Sequence, residues 1–193
     1  YTIDNREVVE QMLNLSSTEK SKIWTEINRQ LKGNDRYYTY GFIRNNCTTK
    51  VVDVLNKSVE KPLSANFPSN NHSYRYILNE GLDHHYFEKL GINLLFGYST
   101  NKTADLMFLP IKLKDGIAFN KSILKSEQII NKVDTTNSKS SLNSIYTLWF
   151  IVIIALLGIF NKKFRLAYFF ITAIFSLFLV AVSVYSNHAE LQF

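Results

Sequence analysis

Two kinds of apolar patterning divide this chain. Up to about residue 131, apolar side chains recur at short, interrupted spacings, as in a soluble domain. Ser144 to Phe160 and Leu166 to Tyr185, by contrast, are continuous runs without a single charge. A helix needs about 20 apolar residues to cross about 30 Å of hydrocarbon. The two runs therefore predict transmembrane helices over 144–160 and 166–185. Between them, Asn161-Lys162-Lys163-Phe164-Arg165 reads as a tight basic loop, which the positive-inside rule places in the cytoplasm, with both ends of the chain outside. Tyr146, Trp149 and Tyr185 stand where interfacial aromatics anchor such spans.

The soluble part reads as mostly helical. Val8, Val9, Met12 and Leu13 share a helical face behind a cap at Asp4 or Asn5. Ser16 with Glu19 forms a capping box for a second helix, in which Ile23, Trp24, Ile27 and Leu31 make a core-facing stripe before Gly33. Tyr37 to Ile43 reads as an aromatic strand, leading into a helix after Cys47 that buries Val51, Val54 and Leu55 and stops near Lys61-Pro62. Ser64 to Asn71 reads as a polar loop around Pro68, and Ser73 to Leu82 as a helix with Tyr74, Ile77 and Leu78 inward. Tyr86 to Gly97 fits a buried helix or a strand equally well. Met107-Phe108-Leu109-Pro110 opens a short helix through Phe119, and Ser122 to Ile130 reads as a strand. Thr135 to Asn143 is a Ser/Thr/Asn-rich tether. The predicted class is α+β, with an extracytoplasmic domain over 1–131, a linker over 132–143, spans over 144–160 and 166–185 around the loop 161–165, and an extracytoplasmic tail over 186–193.

Charge and composition narrow the chemistry. The 193 residues carry a net charge of +6, but the lysines are scattered. Lys112, Lys114, Lys121, Lys125 and Lys132 approach the tether, so anionic lipid head groups are a closer partner than nucleic acid. A single cysteine forms no intrachain disulfide. His72, His84, His85 and His188 lack partners at metal-ligand spacing, and the chain has no phosphate-binding glycine loop or dinucleotide fingerprint, so neither metal nor cofactor is expected. Tyr1 carries neither an initiator methionine nor an export signal, and the sequence stops shortly after the second run, so a piece of a longer protein is expected.

Cys47 is the candidate nucleophile. It lies in Tyr38-Thr39-Tyr40-Gly41-Phe42-Ile43-Arg44-Asn45-Asn46-Cys47-Thr48-Thr49, on the first turn of a predicted helix. A helix N-terminus carries about half a positive charge and unpaired N–H groups, which favour a thiolate or a developing oxyanion. A buried cysteine acting as a small hydrophobe is the alternative, although its asparagine and threonine neighbours make a polar setting. Asn45, Asn46 and the N–H groups of Cys47 and Thr48 are oxyanion candidates, and serve equally as turn and cap residues. Tyr40 either hydrogen-bonds near the site or packs in the core, and Arg44 either meets lipid phosphate or is simply exposed. The base is His72, His84 or His85, or lies upstream of Tyr1, which is the favoured option.

A resemblance adds to this reading. Asn5-Arg6, Glu10-Gln11 and Leu13-Asn14-Leu15, the Tyr38-x-Tyr40-x-Phe42 run into Asn45-Asn46-Cys47-Thr48-Thr49, then Tyr74-Arg75, Leu90-Gly91-Ile92-x-Leu94-x-x-Gly97 and Met107-Phe108-Leu109-Pro110 together resemble the Lnb-type family and its N-terminal periplasmic domain. The similarity spans most of residues 1–120, and the paired apolar runs with their basic loop extend it. The resemblance implies a circularly permuted papain-like domain, related to NlpC-type cysteine hydrolases and lecithin:retinol acyltransferases, with the catalytic histidine ahead of the cysteine. It implies transfer of an acyl chain, from a phospholipid or lipoprotein donor, to the N-terminal amine of a lipoprotein acceptor. Cys47 matches the nucleophile, whereas Asn93 and Asn101 depart from acids expected in relatives. The location implied is a bacterial inner membrane with the domain in the periplasm. The alternatives are an NlpC-type cysteine hydrolase or peptidase of the cell envelope and a non-catalytic membrane protein.

Overall fold

The computed structural model describes residues 7–82, 85–132, 149, 151–153, 155–156, 158 and 161–191. They fall into two compact units, Tyr1–His72 with Thr103–Asn137, and Ser73–Lys102 with Ser138–Phe193. The cap at Asp4 or Asn5, His84, the tether over 135–143 and Tyr146 lie outside the described residues.

In the first unit, β1 (Val8–Leu13) pairs antiparallel with β2 (Leu124–Asn131), aligning Val9 with Ile129 and Gln11 with Glu127. Val8 to Leu13 therefore form a strand, not the expected helix. Positions 8, 9, 12 and 13 satisfy a helical face locally, but Val8-Val9 is β-branched and a partner strand lies across the unit. The expected strand near 122–130 is that partner.

Helix α1 (Ser17–Lys32) begins in the predicted capping box: the Glu19 N–H donates to Ser16 Oγ (3.2 Å) and the Ser16 N–H to Glu19 Oε2 (2.8 Å). These bonds hold the Glu19 carboxyl below its usual range, the backbone N–H of Ser16 contributing most. The helix stops at Gly33. Its apolar stripe is not core: Trp24 is 70% exposed and Leu31 60%. Glu19, Ile23, Glu26 and Gln30 form the half-buried side instead, and α1 packs on the next helix.

Residues 37–46 form an irregular loop rather than the expected strand. Aromatic β-propensity stabilises a strand only where a neighbouring strand accepts its ladder. Here the loop closes on itself, with the Gly41 N–H donating to the Asn45 carbonyl (3.3 Å) and Asn45 Nδ2 to the Thr39 carbonyl (2.7 Å). Asn45 adopts φ 64°, a left-handed conformation that asparagine tolerates better than most residues.

Helix α2 (Cys47–Ser58) follows. Leu55 packs on the core as expected and Val54 is half-buried, but Val52 takes the place expected of Val51, which is exposed. The core of this unit gathers Val59, Leu63, Phe67, Met107, Ile117 and Ile123, with Leu13 and Leu124 from the sheet against it. Asn56 clamps the turn after α2 by accepting from the Leu63 N–H (2.7 Å). Pro110 sits at the first position of α5 (Pro110–Phe119), a favoured place because its missing N–H would be unpaired anyway. Lys112 of α5 is buried and donates to the Ser69 carbonyl (2.7 Å).

The second unit holds α3 (Tyr74–Glu80), capped by Ser73, and α4 (Tyr86–Leu95), which resolves the ambiguity over 86–97 as helix. Arg75 organises it. Its guanidinium donates to Asn101 Oδ1 (2.7 Å), Asn93 Oδ1 (3.2 Å) and the carbonyls of Phe96 (2.5 Å) and Gly97 (3.0 Å). Asn93 and Asn101 thus serve as neutral acceptors that pin the loop after α4. Helix α6 (Lys162–Tyr185) has 24 residues, about 36 Å at 1.5 Å per residue, and is long and apolar enough to cross a membrane. Lys162, Lys163 and Arg165 lie in its first turn rather than in a loop. Thr172 and Ser176 return their hydroxyls to carbonyls one turn back, leaving no polar side-chain group of theirs unsatisfied. The run 144–160 lies mostly outside the described residues, and those described, 149, 151–153, 155–156 and 158, are helical.

Candidate active site

The site is built on the start of α2. Asn46 is its N-cap and is 3% exposed. Its Oδ1 accepts from the Thr49 N–H (3.0 Å), and the Asn46 N–H donates back to Thr49 Oγ1 (2.9 Å), a reciprocal capping box. Its Nδ2 donates to the carbonyls of Phe42 (3.1 Å) and Phe108 (2.9 Å). One amide therefore ties together the loop before the thiol, the helix bearing it and the segment entering α5. With every polar group of its side chain engaged, Asn46 acts as a positioning residue. Asn45 holds its own loop through Nδ2 on the Thr39 carbonyl.

Cys47 is the first residue of α2 and its thiol is exposed. The buried-hydrophobe alternative does not describe it. The first helical N–H groups have no intrahelical acceptors. Those of Thr49 and Lys50 are taken by Asn46, so the first-turn N–H groups of Cys47 and Thr48 are the remaining donors among the described residues. Thr48 itself is buried.

The thiol opens on a cleft of about 500 Å³ lined by α2 (Cys47, Thr48, Val51), by Glu7, Val9 and Gln11 at β1, and by α5 (Pro110, Ile111, Leu113, Lys114, Ile117). Val9, Val51, Pro110, Ile111, Leu113 and Ile117 are apolar, and Glu7, Gln11, Thr48 and Lys114 are polar, beside the Cys47 thiol. Gln11 Nε2 donates to the Lys114 carbonyl (2.9 Å) and to Glu127 Oε2 (2.8 Å), fixing α5 to both strands. Sequence reasoning missed this wall. Its signal was the Met107-Phe108-Leu109-Pro110 run, whose buried Phe108 supplies a carbonyl to Asn46.

The other named residues stand apart from the cleft. Tyr40 is half-exposed in the loop and does not line it. Arg44 pairs with Asp105 (3.2 Å), both exposed. No histidine lines the cleft among the described residues; His85, in the second unit, faces Glu88 at 3.5 Å. A groove of about 570 Å³ beside α1 and α2 is lined by Ser17, Thr18, Ser21, Lys22, Thr25, Glu26, Lys57 and Ser58, with no thiol or imidazole. No group of three or more metal-ligating side chains occurs among the described residues.

An exposed thiol at a capped helix start, beside a cleft in a helix-rich α+β unit, on a chain with one helix among the described residues long and apolar enough to cross a membrane, describes a membrane-associated domain with a surface-accessible thiol. Residues 1–80 match the model of the Lnb N-terminal periplasmic domain, the family that the Asn-Asn-Cys-Thr-Thr element resembles. That match covers β1, α1, α2 with Cys47, and α3, and together with α6 it is compatible with a membrane protein that has a periplasmic domain. No curated protein and no solved structure matches the chain.

Proposed function

We propose that the chain is the thiol-bearing part of a membrane-anchored acyltransferase that N-acylates lipoproteins through an acyl-cysteine intermediate. The observation that carries this reading is the exposed Cys47 at the capped start of α2, opening on a cleft walled largely by apolar side chains. An ester's acyl chain suits such walls, and the N–H groups of Cys47 and Thr48 at the helix start suit the oxyanion formed when sulfur attacks its carbonyl.

The reaction divides into two transfers. The Cys47 thiol gives its proton to a base, and no histidine lines the described part of the cleft. The sulfur adds to the ester carbonyl, the C–O bond breaks, and the alkoxide leaves with a proton, giving a thioester. The acceptor's α-amine then adds to the same carbon, the C–S bond breaks, and an amide and the free thiol result. The N–H groups of Cys47 and Thr48 serve both tetrahedral intermediates. A phospholipid or lipoprotein donates the chain, and a lipoprotein N-terminus receives it.

The test is mass spectrometry of a reporter lipoprotein's N-terminal peptide, with the complete reading frame expressed in a host lacking its own lipoprotein N-acylation. An added acyl mass in wild type that disappears with Cys47→Ala is the expected result. An unmodified peptide in both, with the protein folded and inserted, overturns it in favour of a cell-envelope hydrolase or a non-catalytic protein.

A further inference from the structure

Helix α1 is turned the opposite way from a core helix. Lys20, Trp24, Ile27 and Leu31, spaced four, three and four apart, share one stripe on its surface. All four are exposed. The neighbouring stripe of Glu19, Ile23, Glu26 and Gln30 is the half-buried one. Both acids of the helix are on that inner side and are engaged there. Glu19 accepts from the Glu60 N–H (3.0 Å), and Glu26 accepts from Arg29 (2.8 Å) and Lys57 (3.3 Å). The exposed stripe therefore begins with Lys20, is followed by exposed Lys32 at the helix end, and carries no carboxylate.

The chain after α1 extends the same chemistry. Tyr37 is 77% exposed and Tyr40 51%, with Phe42 also exposed, in the loop that runs to Cys47. The Arg36 guanidinium lies 5.3 Å from the centre of the Tyr37 ring. Trp and Tyr carry an apolar body and a polar tip, the combination enriched at the head-group level of bilayers, and lysines at the margins of an apolar stripe suit anionic phosphates. A second copy of the chain fits less well, since a two-fold contact through this face sets cations against cations.

We propose that α1 and the loop 37–42 form a membrane-docking surface, with Trp24, Ile27 and Leu31 entering the interface of an anionic bilayer and Lys20 and Lys32 on its phosphates. This rests on the reading of α6 as a membrane span, not on acyl transfer. Its consequence for that transfer is that the segment immediately before the thiol lies at the lipid surface, so a lipid ester reaches Cys47 without leaving the bilayer far behind.

The test is tryptophan quenching in the full chain, inserted in single-copy nanodiscs of phosphatidylcholine and phosphatidylglycerol, with and without brominated acyl chains. Trp149 is the second tryptophan, so the difference between wild type and Trp24→Phe isolates Trp24. The expected result is severalfold quenching of the Trp24 signal by brominated lipid, lost with Lys20→Glu/Lys32→Glu or Ile27→Asn/Leu31→Asn while circular dichroism stays unchanged. A solvent-like, unquenched Trp24 overturns the proposal. So does a blue-shifted but unquenched Trp24, which would mean that protein covers the face. The readout needs no turnover, so an inactive enzyme and an undocked helix give different results.

Discussion

Helices α1 and α2 pack against each other, and both are amphipathic with side-chain capping boxes, yet they present opposite faces to the protein. α2 directs Val52 and Leu55 into the core and leaves Cys47 and Val51 at the cleft. α1 directs Glu19, Glu26 and Gln30 inward and leaves Trp24, Ile27 and Leu31 in solvent. The difference lies in what holds each start. The cap of α1 is made by Ser16 and Glu19 on the surface, where Glu19 also accepts from the Glu60 N–H (3.0 Å), whereas Asn46 at the start of α2 is buried. The cap of α2 is also a tertiary joint, because Asn46 reaches the Phe108 carbonyl 62 residues away. A periodic pattern says that a helix has an apolar side, and long-range joints decide where that side points.

Replacing the joint should therefore hurt most. Asn46→Asp keeps the cap acceptor but deprives the carbonyls of Phe42 and Phe108 of their donor, and about 3 kcal/mol of stability should be lost in denaturant unfolding. Ser16→Ala in α1 should cost only about 1 kcal/mol by the same measurement. Equal losses would mean that the two caps do the same job.

Along α2 the inward face should separate cleanly from the cleft face. Leu55→Ala should cost about 2 kcal/mol and Val52→Ala about 1 kcal/mol, from lost burial and incomplete collapse. Val51→Ala should leave the thermal midpoint nearly unchanged while altering the rate of the proposed acyl transfer. A Val51 variant as unstable as the Val52 variant would restore the face read from spacing alone.

Smaller effects belong to α1. In detergent, Leu31→Ser should change stability by no more than about 0.5 kcal/mol, as expected of an exposed site; a larger loss would mean that the stripe packs on the protein. Hydrogen bonds from Arg29, then Gln30 and Lys57, hold the Glu26 carboxyl well below its ordinary range. A depressed folded-state value adds stability that is complete above the unfolded carboxylate value of about 4.3 and fades as pH falls from there towards the folded value. The thermal midpoint should drop on acidification below about pH 4, and Glu26→Gln should flatten that part of the profile. An unchanged profile in Glu26→Gln would place the acid sensitivity elsewhere.

Much of the fold was legible in residues whose information is local. The Ser16-Glu19 box, the stop at Gly33, Ser73 as a cap, Pro110 opening a helix and the apolar run of α6 each specify a conformation through neighbours within a turn or through length alone. The failures came where the deciding partner is distant. Val8 to Leu13 became a strand because β2 lies more than 110 residues on, and the aromatic run 37–43 did not become one because no strand among the described residues accepts it.

The site divides in the same way. The sequence by itself determined that Cys47 starts a helix, because an Asn-Cys-Thr-Thr run supplies its own cap through contacts within four residues. Only the tertiary structure decided that the thiol is exposed, that Val9 and Gln11 of β1 and Ile111 to Ile117 of α5 wall its cleft, and that Asn46 is occupied as a joint. Backbone capping is short-range and written in adjacent side chains. A cleft is the space left between elements, and its walls are fixed only when strand pairing and core packing bring residues a hundred positions apart into register.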